Sequence, residues 1–141
     1  MSADLMIHAS DTIIDLVGLS TGLKSRRDEG VELGGLRRAR LAAIEQKIGL
    51  HFAESGFSVP VIARELGLSA RYIYELLQDS GAGFGERVME LRLLKTRFML
   101  SDRRNDHLRI SEIAFQCGFN DISHFNRSFR RRFGCAPSSA R

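Results

Sequence analysis

Apolar residues recur along this chain at three- and four-residue intervals, and no run alternates as a half-buried strand would, so the pattern predicts helices throughout. Residues 4 to 23, "DLMIHASDTIIDLVGLSTGL", set Leu5, Ala9, Leu16, Leu19 and Leu23 near one line of a helical wheel, with Met6, Ile13 and Val17 beside it. Asp4, His8, Asp11 and Asp15 interrupt that stripe, which makes the segment too polar to span a membrane; it also lacks the basic start of a signal peptide. A stripe of this kind needs a partner, either the rest of the chain or a second copy. "KSRRDEGVELGG", residues 24 to 35, is charged and carries Gly30, Gly34 and Gly35, so it reads as a linker. From Leu36 the spacing of Leu41, Ile44, Ile48 and Phe52 predicts a scaffold helix that stops before Gly56.

Two short helices follow. "SVPVIARELG" begins with Ser58 as N-cap and tolerates Pro60 in its first turn. After Ser69, "ARYIYELLQ", residues 70 to 78, turns Ile73, Leu76 and Leu77 inward and Arg71, Tyr74, Glu75 and Gln78 outward. Residues 84 to 102 contain no helix breaker after Gly85 and repeat apolar residues at Val88, Leu91, Leu94, Phe98 and Leu100, the pattern of one long bridging helix. About eighteen helical residues span roughly 27 Å, near the 34 Å that separates successive major grooves on one side of a duplex. "ISEIAFQCG" then gives a helix with Ser111 as N-cap and Gly118 as its closing residue, and "FND" a short turn. The last strong helix covers about residues 121–133. Phe129 and Phe133 lie about 40° and 80° round from Phe125, while Ser123, Asn126, Arg127, Arg130 and Arg131 occupy the opposite side. Arg132 flanks the phenylalanine face and reads as structural, and Ile122 as packing or a thymine-methyl contact.

The chain repeats itself. Residues 61 to 77 lie over residues 112 to 129, with Ile62 and Ala63 on Ile113 and Ala114, Gly67 on Gly118, and Leu68 on Phe119. The offset is 51 residues before the turn and 52 after it, where Ile73 meets Phe125 and Leu77 meets Phe129, so the second turn is one residue longer. Two helices joined by a glycine-bearing turn, the second polar outside, form the pattern of a helix-turn-helix, here in tandem.

Charge sharpens that picture. Of the net charge of +4, residues 1 to 35 hold three Lys/Arg against six Asp/Glu, and residues 36 to 141 hold eighteen against eleven, so the repeats lie in the basic part. With 141 residues, 43% hydrophobic and 27% charged, the chain can fill one ordinary core or two very small ones. Cys117 and Cys135 show neither metal spacing nor a disulfide framework and suit a reducing cytoplasm. His8, His51, His107 and His124 stand at unrelated spacings with no nucleophile or carboxylate pair arranged around them, so no enzyme, cofactor or metal site is expected.

The ordered pieces "IARELGLSARYIYELL", "RVMELRLLKTRFML" and "IAFQCGFNDISHFNRSFRRRFGCAPSSAR" resemble the DNA-binding domain of the AraC/XylS family of bacterial transcription regulators over about residues 38 to 141. The second module carries the more specific match, with Gly118, Phe119, Phe125, Phe129, Phe133, Gly134 and Pro137 in place. The resemblance implies an all-α chain of two helix-turn-helix subdomains joined by a long bridging helix and preceded by a short N-terminal helix and linker. The implied pieces are residues 1–35 as the remnant of a sensor or dimerisation region, 36–82 as the first subdomain, 83–102 as the bridge and 103–141 as the second. It implies sequence-specific binding of double-stranded DNA in two adjacent major-groove segments by the helices near 70–78 and 121–133. Arg71, Tyr74, Glu75, Gln78, Ser123, Asn126, Arg127, Arg130 and Arg131 are then the contact residues, with Arg130 and Arg131 toward phosphates and Ser123, Asn126 and Arg127 toward base edges. RNA polymerase and a homodimer through residues 4–23 are the further partners to test, in a cytoplasmic protein with no membrane contact.

The sequence departs from the family pattern in two places. Ala140 stands where the family usually has tyrosine, and Arg141 is the last residue, so the end of the second module reads as less well packed; only residues 4 to 35 stand in place of the family's usual N-terminal sensor domain, so the chain as a whole reads as a truncated or sensor-less member. Glu75 stands where the family often carries Arg or Lys; it can accept from cytosine N4 or turn to solvent. A different class of reading, a helical adaptor whose basic faces bind an acidic protein, accounts for the charge and the N-terminal stripe but not for the doubled turn. RNA binding fits less well, because the phenylalanines sit on the inward side.

Overall fold

The structure is a computed structural model that describes the backbone from Arg26 and side chains from Glu32 to Arg141; the helix expected over residues 4–23 lies outside the described residues. The described residues form α1 (Arg26–His51), α2 (Val59–Leu66), α3 (Ala70–Asp79), α4 (Phe84–Ser101), a 3-10 turn (Arg103–Asn105), α5 (Ile110–Gln116), α6 (Ile122–Phe133) and a second 3-10 turn (Pro137–Ala140). They contain no strand, as the apolar spacing predicts.

Two compact units result. The first joins the described residues up to Lys47 with Ser58–Phe84, and the second joins Ile48–Phe57 with Gly85–Arg141. In the first unit Ile44 of α1, Val59, Ile62 and Ala63 of α2, and Ile73, Leu76 and Leu77 of α3 are buried. In the second, Leu93 and Leu100 of α4, Ile113 and Ala114 of α5 and Phe125 and Phe129 of α6 form one core with Cys117 and Phe119. Phe119, Phe125, Phe129 and Phe133 stack in sequence with ring centroids 4.9, 5.7 and 4.7 Å apart. Such tilted pairs add about 0.5–1.5 kcal/mol each beyond area burial.

The internal repeat is visible atom by atom, within each unit. At the end of α2, Leu68 N–H donates to Ala63 C=O at 3.0 Å, and at the end of α5 Phe119 N–H donates to Ala114 C=O at the same distance. Both bonds close over a glycine at positive φ, 67° at Gly67 and 103° at Gly118, a conformation that costs a side-chain-bearing residue about 1–2 kcal/mol. The next helix is capped alike: Ser69 Oγ accepts from Tyr72 N–H and Asp121 Oδ1 from His124 N–H, each at 3.1 Å. The extra residue of the second turn is therefore Asn120, between Phe119 and the cap.

Three local expectations are corrected. Residues 26 to 35, expected as linker, are the first turns of α1 and run helical through Gly30, Gly34 and Gly35. Each glycine costs about 1 kcal/mol in a helix, but the helix is held further along, where Arg37 Nη2 pairs with Asp79 Oδ2 at 2.5 Å and Arg40 donates to the Tyr72 hydroxyl at 3.2 Å. The inward line of α4 is Val88, Leu93, Thr96 and Leu100 rather than one through Leu94 and Phe98, which are exposed. Thr96 can lie there because its hydroxyl donates to Arg92 C=O at 2.7 Å. The N-cap of α5 is Arg109, not Ser111; the Glu112 carboxylate accepts from the Arg109 N–H at 3.1 Å. The chain end is also better held than its departure from the family pattern suggests. Pro137 is buried, and Arg141 Nη2 donates to the carbonyls of Asn105 and Leu108.

Candidate nucleic-acid interface

The sequence-predicted contact residues are exposed on their helices. On α3, Arg71, Tyr74, Glu75 and Gln78 point outward while Ile73, Leu76 and Leu77 are buried beneath them. On α6, Ser123, Asn126, Arg127, Arg130 and Arg131 are exposed while Phe125 and Phe129 are fully buried. The phenylalanines thus fix the rotation of α6 about its own axis, and that rotation delivers the arginines to the surface.

The two faces differ in chemistry. Arg127, Arg130 and Arg131 carry no ion pair among the described residues, so their guanidinium groups remain available to an outside anion. Arg71, by contrast, is engaged: its Nε donates to Glu75 Oε1 at 3.2 Å. Residues 85–141 and 48–57 together hold twelve Lys/Arg against seven Asp/Glu, whereas residues 32–47 and 58–84 hold six against five. The second unit is therefore the electropositive one.

Arg132, next along α6, does a different job. It makes a bidentate pair with the Glu90 carboxylate of α4, with contacts from 2.7 to 2.9 Å, and it lies 5.0 Å from the centre of the Phe133 ring. Arg97 covers the same ring at 4.7 Å, so the half-buried Phe133 is flanked by two guanidinium groups. The hydrogen bond from Arg132 holds the Glu90 carboxyl below the usual carboxylate range, and the same bond raises Arg132. Its place beside the phenylalanine face was legible from the wheel; its partner, 42 residues away, was not.

Asn126, Arg127 and Arg130 of α6, with Ile122 of the same helix, line an open groove of about 500 Å³ whose other wall is built from Ile110, Ser111, Ala136, Pro137 and Ser138. Ser123 and Arg131 are exposed outside it. Sequence reasoning missed the far wall. The local pattern offers Ser111 as a helix cap, and nothing in it shows that the 3-10 turn at Pro137–Ala140 comes back beside α6. Among the described residues no three His, Cys, Asp or Glu side chains gather as a metal site requires, and no helix is long and apolar enough to cross a membrane.

Comparison with known proteins agrees with this geometry. A family described as a helix-turn-helix domain matches residues 62–141. The chain is similar to the transcriptional activator RhrA of Rhizobium meliloti, with 32% identity over 102 residues that cover 72% of this chain and 32% of that protein. It is also similar to the HTH-type transcriptional activator RhaS of Salmonella schwarzengrund, with 34% identity over 117 residues, 82% of this chain and 41% of the other. The match thus spans 32% and 41% of the length of these two curated relatives. Among solved structures it resembles the C-terminal domain of AraT, a response regulator from Geobacillus stearothermophilus, with a TM-score of 0.61, 28% identity, and coverage of 74% of this chain and 81% of that one. It likewise resembles the C-terminal domain of the two-component response regulator yesN from Fusobacterium nucleatum, with a TM-score of 0.62, 26% identity, and coverage of 70% and 93%. With two capped helix-turn-helix repeats, a basic outer face on the second, and these relatives, the chain belongs to the AraC/XylS family of helix-turn-helix transcription regulators.

Proposed function

We propose that this chain binds double-stranded DNA sequence-specifically and regulates transcription, with α3 and α6 each entering a major groove. The observation that carries the reading is the exposed row of Arg127, Arg130 and Arg131, without an ion pair among the described residues, on a helix whose opposite face is locked into the core by Phe125 and Phe129. Such a row has no structural use within its unit and fits the phosphates and base edges of a groove. In this reading Ser123, Asn126 and Arg127, early in α6, meet bases, and Arg130 and Arg131, a turn later, meet the backbone. Arg71, Tyr74, Glu75 and Gln78 form the corresponding face of α3. The activity needs no cofactor, metal or catalytic group, and its setting is the cytoplasm. RNA polymerase is the partner that would turn binding into activation; RhrA and RhaS are named as transcriptional activators. Self-association through residues 4–23 is a separate expectation, tested by sedimentation with and without that segment.

Titration of a labelled duplex over a salt series tests the DNA reading. Contacts with several phosphates give a steep fall of log affinity with log salt. A flat, weak response to DNA together with binding to a polyanionic protein would replace it with the adaptor reading. A footprint on selected DNA should contain two protected blocks, because two recognition helices are available.

A further inference from the structure

Resting on that reading, we infer that Arg71 reads a guanine and that Glu75 is the positioning residue that aims it. Arg71 is the second residue of α3, in the first turn, which in a helix-turn-helix goes deepest into the groove. Its side chain is 89% exposed, and its Nε is bonded to Glu75 Oε1. A guanidinium held at Nε keeps both terminal nitrogens free and fixes their plane, and two parallel N–H donors at the end of the side chain match the O6 and N7 acceptors of guanine.

The pair is not explained by the stability of its helix. An arginine in the first turn opposes the helix dipole, and an arginine placed four residues before a glutamate is the weaker order for an i, i+4 pair. A carboxylate facing phosphates also reduces general attraction to DNA. Two unfavourable placements on the outward face are accounted for if the carboxylate restricts the arginine to one direction, so that less side-chain freedom is lost on meeting the base. α6 lacks this arrangement, since its outward arginines have no acidic partner among the described residues. The first unit thus gains selectivity where the second gains attraction.

Duplexes selected by the parent protein, each varied one base pair at a time, test the inference with Arg71→Ala, Arg71→Lys, Glu75→Gln and the double variant Arg71→Ala/Glu75→Gln. Arg71→Ala should lose about 5- to 150-fold on the selected site and level the preference at one guanine. Arg71→Lys keeps the charge without the fork and should level the same position while leaving the salt slope unchanged. Glu75→Gln should weaken preference at that same guanine while leaving random duplexes bound equally or more tightly, and the double variant should be no worse than Arg71→Ala alone. Loss of preference at a different base pair in Glu75→Gln would mean that the carboxylate reads cytosine itself. Tighter binding to every duplex with the guanine preference intact would mean that it merely repels phosphate. Either result overturns the inference. Failure of the parent to bind any duplex in a salt-dependent manner would instead overturn the DNA-binding reading beneath it.

Discussion

The guanidinium of Arg92 occupies the space that a side chain on Gly118 would need. Its Nε lies 2.6 Å from where a Cβ would stand, and the Ala53 carbonyl oxygen lies 3.0 Å away on the same side. That Nε donates to Phe52 C=O at 2.7 Å, and Nη2 approaches Glu54 C=O at 3.4 Å. Arg92 therefore ties the chain just after α1 to the turn between α5 and α6, inside the second unit. Burial lowers its pKa, although an arginine stays charged at any ordinary pH.

Gly118→Ala should accordingly destabilise the second unit beyond the about 1–2 kcal/mol expected for positive φ alone, because the Arg92 bonds must also shift. Thermal unfolding of the variant beside the parent measures this. If the main cost is the displaced guanidinium, Arg92→Ala should be destabilising by itself, and adding Gly118→Ala to it should cost less than in the parent background.

Phe129 sits at the centre of the aromatic row and is fully buried between Phe125 and Phe133. Truncation to Ala removes the ring and leaves a cavity in a small core, which should cost about 3–5 kcal/mol. That is a large share of the stability of a unit this size. Denaturant unfolding checks it, and a midpoint within experimental error of the parent would contradict the buried face.

The sequence carried more of the repeat than of the partners that hold it in place. Ala63 with Ala114, Gly67 with Gly118, and Leu68 with Phe119 could be paired by eye because turn geometry constrains residue type locally. The buried stripe of α4 could not be read in the same way. Thr96 is polar and buried, while Phe98 is aromatic and 67% exposed, so an apolar count rotates the helix to the wrong face. Gly34 and Gly35 misled for a related reason. Propensity is a local cost, and the bonds from Arg37 and Arg40 that secure α1 reach residues 32 to 42 positions away. On α6 the outward arginines were legible because the phenylalanines define the wheel, but the Glu90 partner of Arg132 and the wall around Pro137 depend on chain return.

The Glu90–Arg132 pair gives the second unit a pH dependence whose sign follows from the lowered Glu90 carboxyl. A carboxylate depressed in the folded state contributes stability above its unfolded pKa, about 4.3, and loses that contribution as pH falls through the lower folded value. Glu90→Gln should therefore unfold at a slightly lower temperature than the parent at pH 7, and the difference should shrink and vanish as the pH falls below the lowered folded value. The effect should be small because both side chains are partly exposed. Unfolding midpoints of both proteins across that pH range decide it; a difference that persists in acid would point to packing rather than charge.

Arg127 and Arg130 share one groove on α6, yet the proposed reading gives them different work. Arg127 lies in the first half of the helix and Arg130 a turn later; under the proposal the first would reach base edges and the second would meet the backbone. Arg127→Ala should cost about 1–3 kcal/mol on a specific site, relax preference at one base pair and change random-duplex binding little. Arg130→Ala should weaken specific and random duplexes by similar factors and lower the slope of log affinity against log salt by about one. Both are measured on one specific and one scrambled duplex across the same salt series. The opposite assignment of losses would mean that α6 lies rotated or reversed in its groove. Equal losses independent of salt in both variants would indicate a folding defect, which the exposure of both side chains argues against.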